Sequence, residues 1–325
     1  MLDSMSTSSP VIQARGLGKR FDDLVAVRDL SFSVEAGQVL GLLGPNGAGK
    51  TTTINMMTTL SPIDTGAASV AGYDVATRSA IVRQLIGLAG QAAAVDEKLT
   101  ARENLELFAR LYKIPKERRT KRIDELIERF DLGGFADRVA GTYSGGERRR
   151  LDVVAALVAD PPALFLDEPT TGLDPRSRVE LWGAIRSLAV EGTAIVLTTH
   201  YLEEVDQLAD HVVVVDHGGE VAAGSPEALK RDLGGDVLEI RLSDPADTSV
   251  AARMLGDDQG TVIDDAVGRL DVPVADGAER SLALLRQLQD GGVAIADFQR
   301  RRPTLDDVFL ALTGAPAISD TEEVA

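Results

Sequence analysis

Cysteine is absent from the 325 residues. That excludes disulfides and thiolate metal centres, and it fits a reducing compartment. No apolar run reaches about 18 residues, the length a spanning helix needs. Residues 1–10 are polar and Ser-rich, without the apolar stretch of a secretory signal, so a disordered lead-in is expected there. Positive charge is scarce as well. The 34 Lys and Arg face 51 Asp and Glu, for a formal net charge of −17. General binding to nucleic acid or to anionic lipid is not expected of such a chain.

What is present begins at residues 44–51, Gly-Pro-Asn-Gly-Ala-Gly-Lys-Thr. Two glycines bracket four residues and are followed by Lys50 and the hydroxyl of Thr51, the phosphate-binding loop pattern. Backbone N–H groups can wrap a phosphate chain only where Cβ atoms are missing. Lys50 adds a flexible point charge for the outer phosphates, and Thr51 offers a hydroxyl to Mg²⁺. The apolar run 39–43 predicts a buried strand before the loop, and 52–60 a helix after it.

The rest of residues 11–230 reads as one α/β nucleotide domain. Short alternating segments at 25–27, 30–34 and 68–75 suggest a small antiparallel sheet. Residues 79–132 read as a helical insert, with helices over 103–112 and 116–130. Wholly apolar segments at 163–166, 194–197 and 212–215 suggest parallel strands covered on both faces. Gly234-Gly235 reads as a linker. Residues 236–314 then give the strand and helix order of a ferredoxin-like α+β unit. Residues 231–325 hold 9 Arg against 19 Asp and Glu, and the acidic end 315–325 is expected to be disordered.

Two further clusters carry chemistry. The strand at 163–166 ends in Asp167-Glu168, and the carboxyl ends of strands are where an open α/β sheet places its ligands. Asp167 is the expected carboxylate beside Mg²⁺, and Glu168 the candidate base for the attacking water. Ser144-Gly145-Gly146 opens a helix, a second N-terminus suited to an anion. Arg148–Arg150 behind it is read as a solvated or partly salt-bridged helix face. No guanine-reading Asn-Lys-x-Asp motif occurs.

In this order, these motifs resemble those of ABC-transporter ATPase subunits. Added to them are Gln91, Gly172-Leu173-Asp174, and His200 after Thr198-Thr199. The likeness is greatest to the daunorubicin/doxorubicin-resistance ATPases, through residues 143–152, 164–178, 201–204 and 302–314. The resemblance implies that Gly44, Pro45, Asn46, Gly47, Ala48, Gly49, Lys50, Thr51 and Thr52 hold the phosphates of ATP. It implies Thr51, Asp167 and Gln91 as Mg²⁺ ligands, Gln91 also sensing the γ-phosphate. Glu168 would act on water, and His200 would touch the γ-phosphate. Ser144, Gly145 and Gly146 would close over ATP bound to a second copy. Asp174 would link the two sites, or serve only as a helix cap. Phe21 would stack on adenine, or serve only in the core. Tyr143 and Glu147 depart from the usual Leu and Gln of the signature.

The fold so implied is a P-loop ABC-type domain, with parallel core sheet, antiparallel subdomain and helical insert, plus the C-terminal α+β unit. The expected function is ATP hydrolysis for drug or antibiotic efflux. The expected partners are an integral membrane permease on a separate chain and a second copy in a head-to-tail homodimer. The expected place is the cytoplasmic face of the membrane. A soluble ABC ATPase acting on ribosomes or nucleic acid, and an ATP-gated scaffold, are the competing readings.

Overall fold

The computed structural model describes residues 9–90, 94–232, 235–255, 261–274 and 277–313. The expectations for the two ends, for Gln91 and for Gly234 lie outside the described residues. Two compact units divide between Ala223 and Gly224.

The first unit starts with a long hairpin, β1 (Ile12–Phe21) and β2 (Leu24–Val34). Then come β3 (Val39–Leu43), α1 (Lys50–Met57), β4 (Thr65–Val70) and β5 (Tyr73–Asp74). Next are α2 (Ser79–Leu85), β6 (Ile86–Ala89), α3 (Ala101–Leu111) and α4 (Lys116–Arg129). They are followed by α5 (Gly145–Ala156), β7 (Ala163–Asp167), α6 (Pro175–Val190) and β8 (Ala194–Thr199). Last come α7 (Leu202–Leu208), β9 (His211–Asp216) and β10 (Gly219–Gly224).

The hairpin pairs with β4 and β5 in an antiparallel sheet of order β2-β1-β4-β5. The central sheet runs β10-β9-β3-β8-β7-β6, and its β9, β3, β8, β7 and β6 are parallel. Successive residues of a strand face opposite layers. On β7, Leu164 and Leu166 meet Leu105, Leu151 and Ile185 on one side. Phe165 meets Ile54, Met57 and the antiparallel sheet on the other. Both layers are apolar, which is why β3, β7 and β8 read as unbroken hydrophobic runs.

Two expectations are corrected here. Residues 79–132 are not helical throughout, because Ile86–Ala89 forms the edge of the parallel sheet beside β7. Four residues are too short for periodicity to show a strand. The helix after the phosphate loop also starts at Lys50 rather than residue 52.

The second unit holds α8 (Pro226–Asp232), β11 (Asp236–Leu242), α9 (Thr248–Leu255), β12 (Val262–Asp264), β13 (Arg269–Val274), α10 (Gly277–Asp290), β14 (Ile295–Arg301) and α11 (Leu305–Thr313). Its antiparallel sheet has the order β12-β13-β11-β14. With a helix after its first and third strands, this is the ferredoxin-like arrangement expected from sequence. Leu238, Ile240, Leu270 and Val272 face α9 and α10 through Ala251, Leu284 and Leu288. On the other face Arg301 pairs with Asp271 at 2.9 Å, Asp307 at 2.5 Å and Glu239 at 3.4 Å. Helix α8 packs against α11 in this unit.

The helical insert is tied to the segment before α5 by Tyr143. Its hydroxyl accepts from the N–H of Ala101 at 3.1 Å and faces the Phe135 carbonyl at 2.8 Å. The ring meets Phe135 edge-on, with centroids 4.8 Å apart. A Tyr143→Phe change keeps the ring and strands a buried donor and a buried acceptor. A loss of about 1–3 kcal/mol is expected, as a lower urea midpoint at unchanged slope.

Candidate active site

Between β3 and α1 the chain makes a turn that only small residues fit. A Cβ on Gly44 would run into the Val215 carbonyl. Gly49 caps α1 at φ +103° with the Ala26 carbonyl against it, so an alanine there meets both strain and a clash. Pro45, Asn46, Gly47 and Ala48 form the turn between, closed by the Ala48 N–H on the Pro45 carbonyl at 3.2 Å. Lys50, Thr51 and Thr52 are the first residues of α1. The Lys50 ammonium donates to the carbonyls of Gly44 at 2.6 Å and Pro45 at 3.1 Å.

The end of β7 reaches this turn. Thr51 Oγ1 donates to Asp167 Oδ1 at 3.1 Å, and Thr198 Oγ1, from the end of β8, donates to the same oxygen at 2.5 Å. Lys50 Nζ stands 3.7 Å from Glu168 Oε1, and His200 Nδ1 stands 3.4 Å from the same oxygen. That ring nitrogen is buried and makes no hydrogen bond among the described residues. Burial lowers the Lys50 ammonium from its ordinary value, opposed by Glu168 and then Asp167. Contact with His200, and after it the Lys50 charge, holds the Glu168 carboxyl below its ordinary value, against burial. Glu168 is therefore an ionised acceptor at neutral pH.

A second group lies at the start of α5. Ser144 caps the helix and forms a capping box with Glu147. Gly146 is packed so closely on α6 that a Cβ would stand 2.7 Å from Ser177 Oγ. Asp174 caps α6, accepting from Ser177 N–H at 3.0 Å and Ser177 Oγ at 2.7 Å. Phe21 is half exposed at the end of β1, under the Lys19 ammonium at 5.2 Å. The structure thus gathers Lys50, Thr51, Asp167, Glu168 and His200 in one cluster. It places Ser144, Gly145, Gly146 and Asp174 in another.

The helix face 148–150 is not simply solvated. Arg148 pairs with Glu97 at 2.5 Å and Arg150 pairs with Glu180, but Arg149 is buried beneath them. Its guanidinium donates to the backbone carbonyls of Gly90, Asp167, Glu168 and Pro169. Thr198 and Glu204 lie within sequence motifs that assign neither of them a role of its own. The one available signal for Arg149 was its i, i+3 spacing to Asp152, in a helix otherwise turning apolar.

Comparison with known proteins now bears on this geometry. A family model described as ABC transporter matches residues 27–171. A second, described as the C-terminal domain of DrrA1-3-like ATP-binding proteins, matches residues 224–313. The daunorubicin resistance ATP-binding protein DrrA2 of Streptomyces coeruleorubidus is 47% identical over 93% of this chain and 95% of its own. The chain belongs to the DrrA-type ABC transporter ATP-binding proteins. The daunorubicin/doxorubicin resistance ATP-binding protein DrrA of Streptomyces peucetius is 45% identical over 97% of this chain and 96% of its own. A solved ATP-binding subunit of an ABC transporter matches 68% of this chain and 92% of its own, at 27% identity and a TM-score of 0.62. As a member of this family the DrrA-type chain binds and hydrolyses ATP.

Behind the DrrA-type site, Glu204 on α7 is wholly buried, with the Trp182 indole N–H 3.4 Å from Oε1. Burial raises its carboxyl from 4.5 to about 7, against the lowering effect of Thr199, Thr170 and Trp182. Below pH 4.5 the folded and unfolded chains both carry this proton. Between 4.5 and about 7 only the fold keeps it, so stability falls as pH rises, and is level above. Glu204→Gln removes this term. Its stability relative to the parent is expected to rise by roughly 3 kcal/mol from pH 4 to pH 8, measured by urea unfolding.

Proposed function

We propose that this subunit powers efflux of a drug or antibiotic through an integral membrane permease carried on a separate chain. The observation that carries the reading is the second domain. Its match to the DrrA1-3-like C-terminal family, together with 47% identity along nearly the whole length, sets the chain beside proteins named for daunorubicin resistance. Among the described residues no helix is long and apolar enough to cross a membrane. A separate permease would supply the path. The subunit would then sit at the cytoplasmic face of the membrane.

In this reading the 44–52 backbone and Lys50 bind the phosphates of ATP. The residues present fit Mg²⁺. The Thr51 hydroxyl and one Asp167 carboxylate oxygen lie side by side, the hard oxygen donors that such an ion takes beside substrate phosphates. Mg²⁺ so held would neutralise phosphate charge. Glu168 accepts a proton from the attacking water or orients it, and Lys50 and His200 hold Glu168 in place. Gln91 would complete the site toward the γ-phosphate. Ser144, Gly145 and Gly146 would close over ATP on a second copy, and Phe21 would stack on adenine. Two ATP molecules would thus join a homodimer, and hydrolysis would release it.

Two measurements test this. Glu168→Gln is expected to lose about 100-fold or more in ATP turnover and to elute as a dimer with ATP. A monomer at saturating ATP counts against the clamp. In cells that also make a cognate membrane permease, the wild-type chain is expected to lower drug accumulation and Lys50→Ala to abolish that effect. Equal accumulation in both would remove the efflux reading.

A further inference from the structure

Arg149 is buried in the body of the first unit, yet no step described so far uses it. Its guanidinium has five N–H donors, and each one has an acceptor. Nε meets the Pro169 carbonyl at 2.9 Å. Nη2 meets the carbonyls of Asp167 at 2.7 Å and Glu168 at 3.0 Å. Nη1 meets the Gly90 carbonyl at 2.5 Å and Asp152 Oδ2 at 3.3 Å. Three consecutive carbonyls of the turn after β7 therefore converge on one planar fork.

The turn needs such a hold. Glu168 sits at φ +49°, a left-handed conformation that a side chain of its size rarely keeps unless its surroundings impose it. On one side, its N–H meets Thr198 Oγ1 at 3.0 Å and the Thr198 carbonyl at 3.1 Å. On the other, its carbonyl is held by Arg149. Both backbone groups of Glu168 are pinned, which fixes the direction in which its side chain leaves the turn. Asp152 supplies the counter-charge, and its other oxygen accepts the Ala94 N–H at 2.8 Å. Gly90 precedes Gln91 and Ala94 follows it closely, so the Arg149–Asp152 pair grips both flanks of the Gln91 segment. Arg149 also lies on α5, the helix that Ser144 caps.

We infer that Arg149 is a positioning residue for hydrolysis, fixing the Glu168 turn and the flanks of Gln91 to the helix that carries Ser144-Gly145-Gly146. The inference rests on the assignment of Glu168 proposed above.

The test uses the full-length chain and steady-state ATP hydrolysis. Arg149→Lys keeps the charge but offers three donors from a point rather than a fork. It is expected to lower kcat about 10- to 100-fold, with KM for ATP within about threefold. Arg149→Gln with Asp152→Asn removes the charge pair together and is expected to show the same split. In a Glu168→Gln background the Arg149→Lys change is expected to add no further loss, because the group it positions is already disabled. A kcat within about twofold of the parent for Arg149→Lys overturns the inference. So does a loss that multiplies with Glu168→Gln, or variants that lose ATP binding and thermal stability together, since each makes the role structural only. A Glu168→Gln variant with an undiminished rate would instead overturn the assignment beneath it.

Discussion

The pairing of Lys50 with Glu168 is the interaction on which the rest of the site depends. Both side chains are largely withdrawn from water, and their charged atoms are 3.7 Å apart. At an effective permittivity of about 20, two charges at this distance attract by on the order of 4 kcal/mol. That attraction offsets the cost of taking each out of water, and neither charge is stable there alone. Burial pulls the Lys50 ammonium toward neutrality while Glu168 resists the change. Lys50 in turn helps to keep Glu168 ionised. Two opposite charges thus share one corner largely withdrawn from water, with His200 beside them.

The fold exists to bring such groups to one edge. Strands β3, β7 and β8 are neighbours, parallel and apolar on both faces. None of them can end in polar residues within the layers, so all do so at the same carboxyl edge. That edge receives Lys50 after β3, Asp167 and Glu168 at β7, and Thr198 to His200 at β8. The hydroxyl of Thr198 then serves two residues, since it donates to Asp167 and accepts the Glu168 N–H. The second unit follows another logic. Its helices cover one face of an antiparallel sheet, and the opposite face carries Arg301 among Asp271, Asp307 and Glu239. Asp271 is buried there and its carboxyl is raised by desolvation, while Arg269 and Arg301 pull it down. The charge network holds α11 to the sheet.

Local chemistry made part of this legible in the sequence. The phosphate loop and the acid pair at the end of an apolar run need no tertiary information, because each is one strand ending in the groups it presents. The succession of strands and helices in the second unit was legible too, whereas the order of its strands in the sheet comes from the fold. Arg149 was different. A run of three arginines at the start of a helix has the pattern of a solvated face, and two of the three do pair with surface acids. Only the packing of β6, β7 and α5 turns the middle one inward, onto carbonyls contributed by Gly90 and by Asp167 through Pro169. Backbone acceptors leave no mark in a sequence. Ile86–Ala89 was hidden for a related reason, being a strand defined by its neighbour β7 rather than by a pattern of its own.

Glu147 shows how an apparent conflict in the sequence is resolved by geometry. An acid in the signature faces the risk of repelling phosphate. Here Oε2 accepts the Ser144 N–H at 2.8 Å and Oε1 pairs with Arg138 at 3.2 Å, so the charge is turned onto its own chain. At the third position of α5 a carboxylate also favours the positive end of the helix. The capping box uses the N–H groups of Ser144 and Glu147. Those of Gly145 and Gly146 have no acceptor within the helix, because the first turn lacks a preceding turn to supply one. The acid thus stabilises the helix start while leaving two glycine donors without an acceptor inside the helix. A phosphate can approach glycine donors closely, whereas the carboxylate beside them is already engaged.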